Sequence, residues 1–152
     1  MPRITGDIVV DRPSEDVFDF VADGRNEPKY NPDMLRSELI TTGPVGLGSR
    51  FAAVHSGRRR PVDLVVELTE YDRPRRLASV SRMPGVEVRG VLTFDPVGSA
   101  TRLGWAWEVR PQGLARLAAP LVKVMGARQE RACWQGLKRY LESGQVDAGT
   151  HS

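Results

Sequence analysis

The sequence predicts an α+β fold in which a curved, seven-stranded antiparallel sheet wraps one long C-terminal helix. Three observations predict it. From Pro111 to Ser143, apolar residues recur at spacings of three and four, which gathers them on one helical face. From residue 35 to residue 109 the apolar spacing is two instead, and the interrupting turns are too short for parallel crossovers. Before that run stand one strand and two short helical segments.

Taken in order, residues 3–10 alternate and end in Val9-Val10, a first strand. Pro13 in a first helical turn, with Glu15 and Asp16 at the positive end of the dipole, starts a helix that buries Val17, Phe18, Phe20 and Val21. Asp23-Gly24 stops it, and a second short helix over residues 25–30 is cut by Asn31-Pro32. Strands follow at 35–42, 49–56, 61–71, 77–82, 86–94 and 101–109, punctuated by Gly43-Pro44, Gly57, Asp72-Arg73-Pro74, Pro84-Gly85 and Pro96 to Ser99. Gly90 falls on the apolar face of its strand, where a missing side chain permits a bend or bulge. In the last segment, Leu114, Ala118, Leu121, Met125, Ala132, Gly136 and Tyr140 form the core stripe, while Arg116, Lys123, Arg131, Lys138 and Arg139 are solvated. Pro120 breaks the pattern and starts the main helix. Trp134, Leu137 and Leu141 form a second apolar line, buried on its own account or contacting a partner.

A chain of 152 residues is one domain, spanning residues 1–143 with a polar tail from 144 to 152. The single cysteine, Cys133, excludes an internal disulfide and fits a reducing, cytoplasmic setting. No apolar run is long enough to span a bilayer, and the strand pattern begins at once, leaving no room for a signal peptide. The net charge is +3, but the only tight basic cluster, Arg58-Arg59-Arg60, sits in a hairpin turn. Without a basic stripe and interleaved aromatics, nucleic acid is not an expected partner.

The inventory is poor in standard catalytic sets. Of two histidines, His151 is in the tail, so His55 alone cannot complete a metal site. No nucleophile elbow, phosphate loop or dinucleotide fingerprint occurs, and no cofactor is expected. His55 shares strand parity with Phe51 and Ala53. It is either satisfied at the strand end or turned inward, where it would orient a ligand or act as a general base. Glu67 and Glu108 have outward parity. Trp105 and Trp107 share a face with Leu103 and Val109, as core filler or as a wall on which a ligand stacks. Gln129 points into the helical stripe, where it reaches water or backbone, or contacts the wall of a cavity.

The order of elements and several local cues resemble the START-like, or SRPBCC, superfamily, which includes polyketide cyclase/dehydrase-like and birch-pollen-allergen-like proteins. The cues run from Pro13-Ser14-Glu15-Asp16-Val17-Phe18 through Tyr30-Asn31-Pro32 and Gly46-Leu47-Gly48-Ser49-Arg50-Phe51. They continue with Val66-Glu67-Leu68-Thr69-Glu70-Tyr71-Asp72-Arg73-Pro74 and Gly98-Ser99-Ala100-Thr101-Arg102-Leu103. Tyr30 departs modestly from the tryptophan frequent at that point in similar proteins. The resemblance implies a helix-grip fold with an apolar cavity between sheet and helix, and a hydrophobic ligand such as a lipid, polyketide or aromatic metabolite. It carries over no catalytic residue.

Strand parity and this resemblance together name Tyr30, Met34, Phe51, His55, Leu64, Val66, Val88, Leu92, Trp105, Trp107, Met125 and Gln129 as ligand-binding residues. Tyr30 and Met34, with the loop Met83-Pro84-Gly85, flank the expected mouth. Ligand binding without catalysis is the leading expectation. A polyketide cyclase or dehydratase with His55 as base is the first alternative. A homodimer through the Trp134 line is the second.

Overall fold

The computed structural model describes residues 3–57, 59–111 and 119–143, with side chains described at neither 111 nor 119–127. The elements are β1 (Arg3–Val10), α1 (Ser14–Ala22), a 3-10 helix (Gly24–Lys29), β2 (Met34–Leu39), β3 (Arg50–His55), β4 (Val62–Asp72), β5 (Arg76–Met83), β6 (Val86–Val97), β7 (Ala100–Pro111) and α2 (Ala119–Glu142). The strands form one seven-stranded antiparallel sheet in the order β1-β7-β6-β5-β4-β3-β2. β1 therefore closes on the last strand, and α1 with the 3-10 helix carries the chain from one sheet edge to the other. This is the helix-grip architecture that the alternating pattern requires, since it buries one face of each strand and leaves the other wet.

Local chemistry sets the breaks. Glu15 and Asp16 lie in the first turn of α1. Asp23 ends that helix and opens the next: its side chain accepts from the Arg25 backbone N–H at 3.1 Å and pairs with the Arg25 guanidinium. Register slips occur between Met34 and Arg36 and between Leu68 and Glu70. Gly90 makes no bulge, contrary to expectation: pairing runs unbroken through it on both sides. Its role is space. It sits opposite Trp107, and a Cβ there would fall inside the indole ring. Gly6, opposite Trp105 on the other flank of β7, does the same for that indole.

The core lies between the concave face of the sheet and the helices. Val10, Phe18, Phe51, Phe94, Leu103, Leu137 and Leu141 are fully enclosed. An aromatic series ties the layers together: Trp105 of the sheet stacks on Trp134 of α2, Trp134 on Tyr30, and Tyr140 on Phe20 of α1. Outside, Glu67 lies between Arg50 and Arg82, and Glu87 between Arg82 and Arg89, at 3.1–3.7 Å. Such solvent-exposed pairs contribute little to stability, since water screens them. Arg59 and Arg60 are exposed, while Arg58 is outside the described residues.

The phase of α2 corrects the sequence reading. Ala132 is exposed and Gly136 and Tyr140 are only half-buried, whereas Cys133, Trp134, Leu137 and Leu141 face the core. The line read as secondary is the packed face, because its side chains offer far more apolar area than Ala and Gly. Gly136 still matters, since it lets the helix backbone press on the Tyr30 carbonyl. Leu114 and Ala118, and the side chains of Leu121 and Met125, lie outside the described residues.

A cavity with an acidic corner

Sheet and α2 do not meet everywhere. Between them lies a cavity of about 360 Å³. On the sheet side Phe51, Leu64, Val66, Val88 and Leu92 form an apolar wall, with Ser79 and Ser81 of β5 as its hydroxyls. Tyr30 and Met34 close it from the segment after α1, and Met83 from the β5–β6 turn. A larger depression, about 830 Å³, crosses the β2–β3–β4 edge, but it takes in Arg36, Glu38, Asp63 and Arg82 and lies outside the layers. The internal space is the candidate site because its lining is mostly apolar and its few polar groups converge.

Most residues named from sequence are on this wall: Tyr30, Met34, Phe51, His55, Leu64, Val66, Val88, Leu92, Trp107 and Gln129. Trp105 is not, because its indole fills the room above Gly6 and stacks on Trp134, 5.9 Å between centroids. The side chain of Met125 is outside the described residues. His55 Nδ1 accepts the Gly57 backbone N–H at 2.9 Å, and Nε2 lies 2.9 Å from the Gln129 side-chain nitrogen. With Nδ1 accepting, the ring's proton sits on Nε2, and because the Gln129 nitrogen is also a donor that contact is not a hydrogen bond; the Gly57 N–H occupies the ring's lone pair. Gln129 donates instead to Asp33 Oδ2 at 3.0 Å, which links α2 to the segment before β2.

Sequence reasoning missed the acidic corner. Glu130 reaches the cavity from α2, and its Oε2 accepts two indole N–H groups, from Trp107 at 2.8 Å and Trp134 at 2.9 Å. One donor comes from the sheet and the other from the same helix four residues on. Glu27 of the 3-10 helix also lines the space and accepts from the Asn31 amide at 2.9 Å. Burial raises the Glu130 carboxyl to about 7, the Glu27 charge adds to the rise, and the two indoles partly offset it. Burial raises Glu27 too, against the Asn31 hydrogen bond. The Cys133 thiol is pushed far up by burial and by these acids, which makes it inert at neutral pH. The sequence did hold a signal for Glu130: counting back from Leu141, Leu137 and Trp134 in helical steps lands on it.

The Trp134 line is not a partner surface. Trp134 is 5% exposed and held between Trp105 and Tyr30, so no homodimer forms through it without unpacking the core. No described helix is long and apolar enough to cross a membrane.

Comparison with known proteins agrees with this architecture. A START superfamily protein of Mycobacterium smegmatis superposes with a TM-score of 0.82 at 13% identity, over 94% of this chain and 99% of that one. A Thermus thermophilus protein gives 0.81 at 18% identity, over 95% and 99%. The Zhui aromatase/cyclase of Streptomyces gives 0.79 at 12% identity, over 93% and 94%. At such identities the likeness shows the fold alone. No curated protein matches the sequence. The family model described as polyketide cyclase/dehydrase and lipid transport matches residues 1–142, and the chain belongs to that START-like (SRPBCC) family.

Proposed function

We propose that the chain binds a hydrophobic small molecule, a lipid, polyketide or aromatic metabolite, in the cavity between the sheet and α2. The observation that carries this reading is the cavity of about 360 Å³, apolar on its sheet side and polar at one corner. Each Å² of ligand surface buried there contributes about 25 cal/mol. The polar corner supplies orientation and the apolar wall affinity. The test is native mass spectrometry of protein purified without detergent, followed by tryptophan fluorescence and melting with fatty alcohols, sterols and aromatic polyketides. A retained mass or a shift with one class supports the reading. No shift with any of them overturns it.

A second reading is a polyketide cyclase or dehydratase reaction with His55 as general base. It draws support from the likeness in fold to a protein named as an aromatase/cyclase, and from the position of His55 on the cavity wall. Against it, the ring lone pair of His55 is held by the Gly57 backbone N–H, and that bond would have to break for His55 to act. It predicts that His55→Ala abolishes turnover of a polyketide substrate while leaving its binding nearly intact. Unchanged turnover removes His55 from the reaction.

A further inference from the structure

Glu130 is held in an uneven way. Both hydrogen bonds that it accepts end on Oε2, and Oε1 has no partner among the described residues. The carboxyl lines the cavity, as does Glu27, and no Lys or Arg stands among the described residues that line it. We propose that Glu130 determines ligand specificity: its Oε1 hydrogen-bonds a carbonyl or hydroxyl oxygen of a neutral apolar ligand, and the two carboxyls together exclude ligands that carry a carboxylate. This rests on the reading of the cavity as a hydrophobic-ligand site.

The chemistry follows from the two indoles. They occupy the lone pairs of Oε2, so a proton on this carboxyl sits on Oε1. Protonated Glu130 then donates into the cavity, which suits a ketone, ester or alcohol oxygen. Ionised Glu130 offers no donor and faces Glu27, so a second anion of any kind meets like charge in a desolvated space. The carboxyl titrates at about 7, so both forms occur near neutral pH. Other titratable groups lie close by: Glu27 on the 3-10 helix, Tyr30 and Asp33 after it, His55 on β3 and Cys133 on α2. A variant at Glu130 itself is needed to separate its titration from theirs.

The experiment compares acetylnaphthalene with naphthoate, which share one ring system and differ in charge. Binding is read by tryptophan quenching between about pH 6 and about pH 8 in wild type and in Glu130→Gln. Gln keeps an oxygen for the indoles and presents a permanent N–H donor. Circular dichroism melting checks that the variant is folded, and the wild-type pH profile stands without it. Wild type is expected to bind the ketone about tenfold or more tightly than the acid, and to lose about tenfold in ketone affinity as pH rises through the Glu130 titration. Glu130→Gln is expected to bind the ketone with little pH dependence and to gain affinity for naphthoate. Equal binding of both probes by wild type, or an unaltered pH profile in the variant, overturns the role of Glu130 and leaves the cavity reading standing. If neither probe binds wild type or variant, the proposal falls, and the cavity reading is decided by the fatty alcohols, sterols and polyketides.

Discussion

Two glycines and two tryptophans decide how β7 packs. Gly90 and Gly6 stand opposite Trp107 and Trp105, and each leaves the space that an indole takes. Gly90→Ala should therefore cost about 1–3 kcal/mol through overpacking, read as a drop in urea midpoint. In a double-mutant cycle with Trp107→Leu most of that cost should vanish, because the ring that it strikes is gone. Trp134→Ala should cost about 3–5 kcal/mol, the figure for an enclosed aromatic. Light scattering should give the same mass for wild type and variant, since this side chain is spent inside the molecule.

At the scale of elements, α2 is anchored at its C-terminal end. Lys138 donates to the Val9 carbonyl at 2.8 Å, and Glu142 accepts from the Asp11 backbone N–H at 2.8 Å. Lys138 and Glu142 also pair with each other, so a side chain read from sequence as merely solvated bridges α2 to the end of β1. Burial opposes ionisation of Glu142, but the hydrogen bonds from Lys138 and Asp11 outweigh it and hold the carboxyl below its usual range. Glu142→Gln should loosen this corner by about 1 kcal/mol. Hydrogen exchange should quicken at Asp11 and in the last turn of α2 while the β4–β5 amides stay protected.

For the molecule as a whole, the buried acid makes stability depend on pH in an unusual direction. The folded carboxyl of Glu130 titrates at about 7 instead of its ordinary 4.5. The folded state thus resists losing a proton that the unfolded chain gives up readily. Its contribution is fully present below the unfolded value and is lost as pH rises to about 7, by up to about 3 kcal/mol. Carboxylates held low, such as Asp23, act oppositely: their stabilisation is present above the unfolded value and lost as pH falls. Urea midpoints measured from about pH 4.5 to about pH 8 should decline for wild type and decline less in Glu130→Gln, where the raised Glu27 carboxyl remains. A parallel decline in the variant would assign the slope to another group.

Much of this was written in the order of residues. Period-two alternation, Gly and Pro punctuation and one long helical stretch determined seven strands, two short helices and a closing helix, because each is a local property of the chain. Parity placed Phe51, His55, Leu64, Val66, Val88 and Leu92 on the inner face for the same reason. Tertiary structure alone decided the rest. Which helical line of α2 faces inward depends on how Trp134 fits beside Trp105 and how closely Gly136 approaches Tyr30. A cavity is the misfit between two layers, and no single strand encodes it. Glu130 looked like one more charge on a helix, and it became the polar centre of the site only when sheet and helix brought two indole N–H groups to the same oxygen.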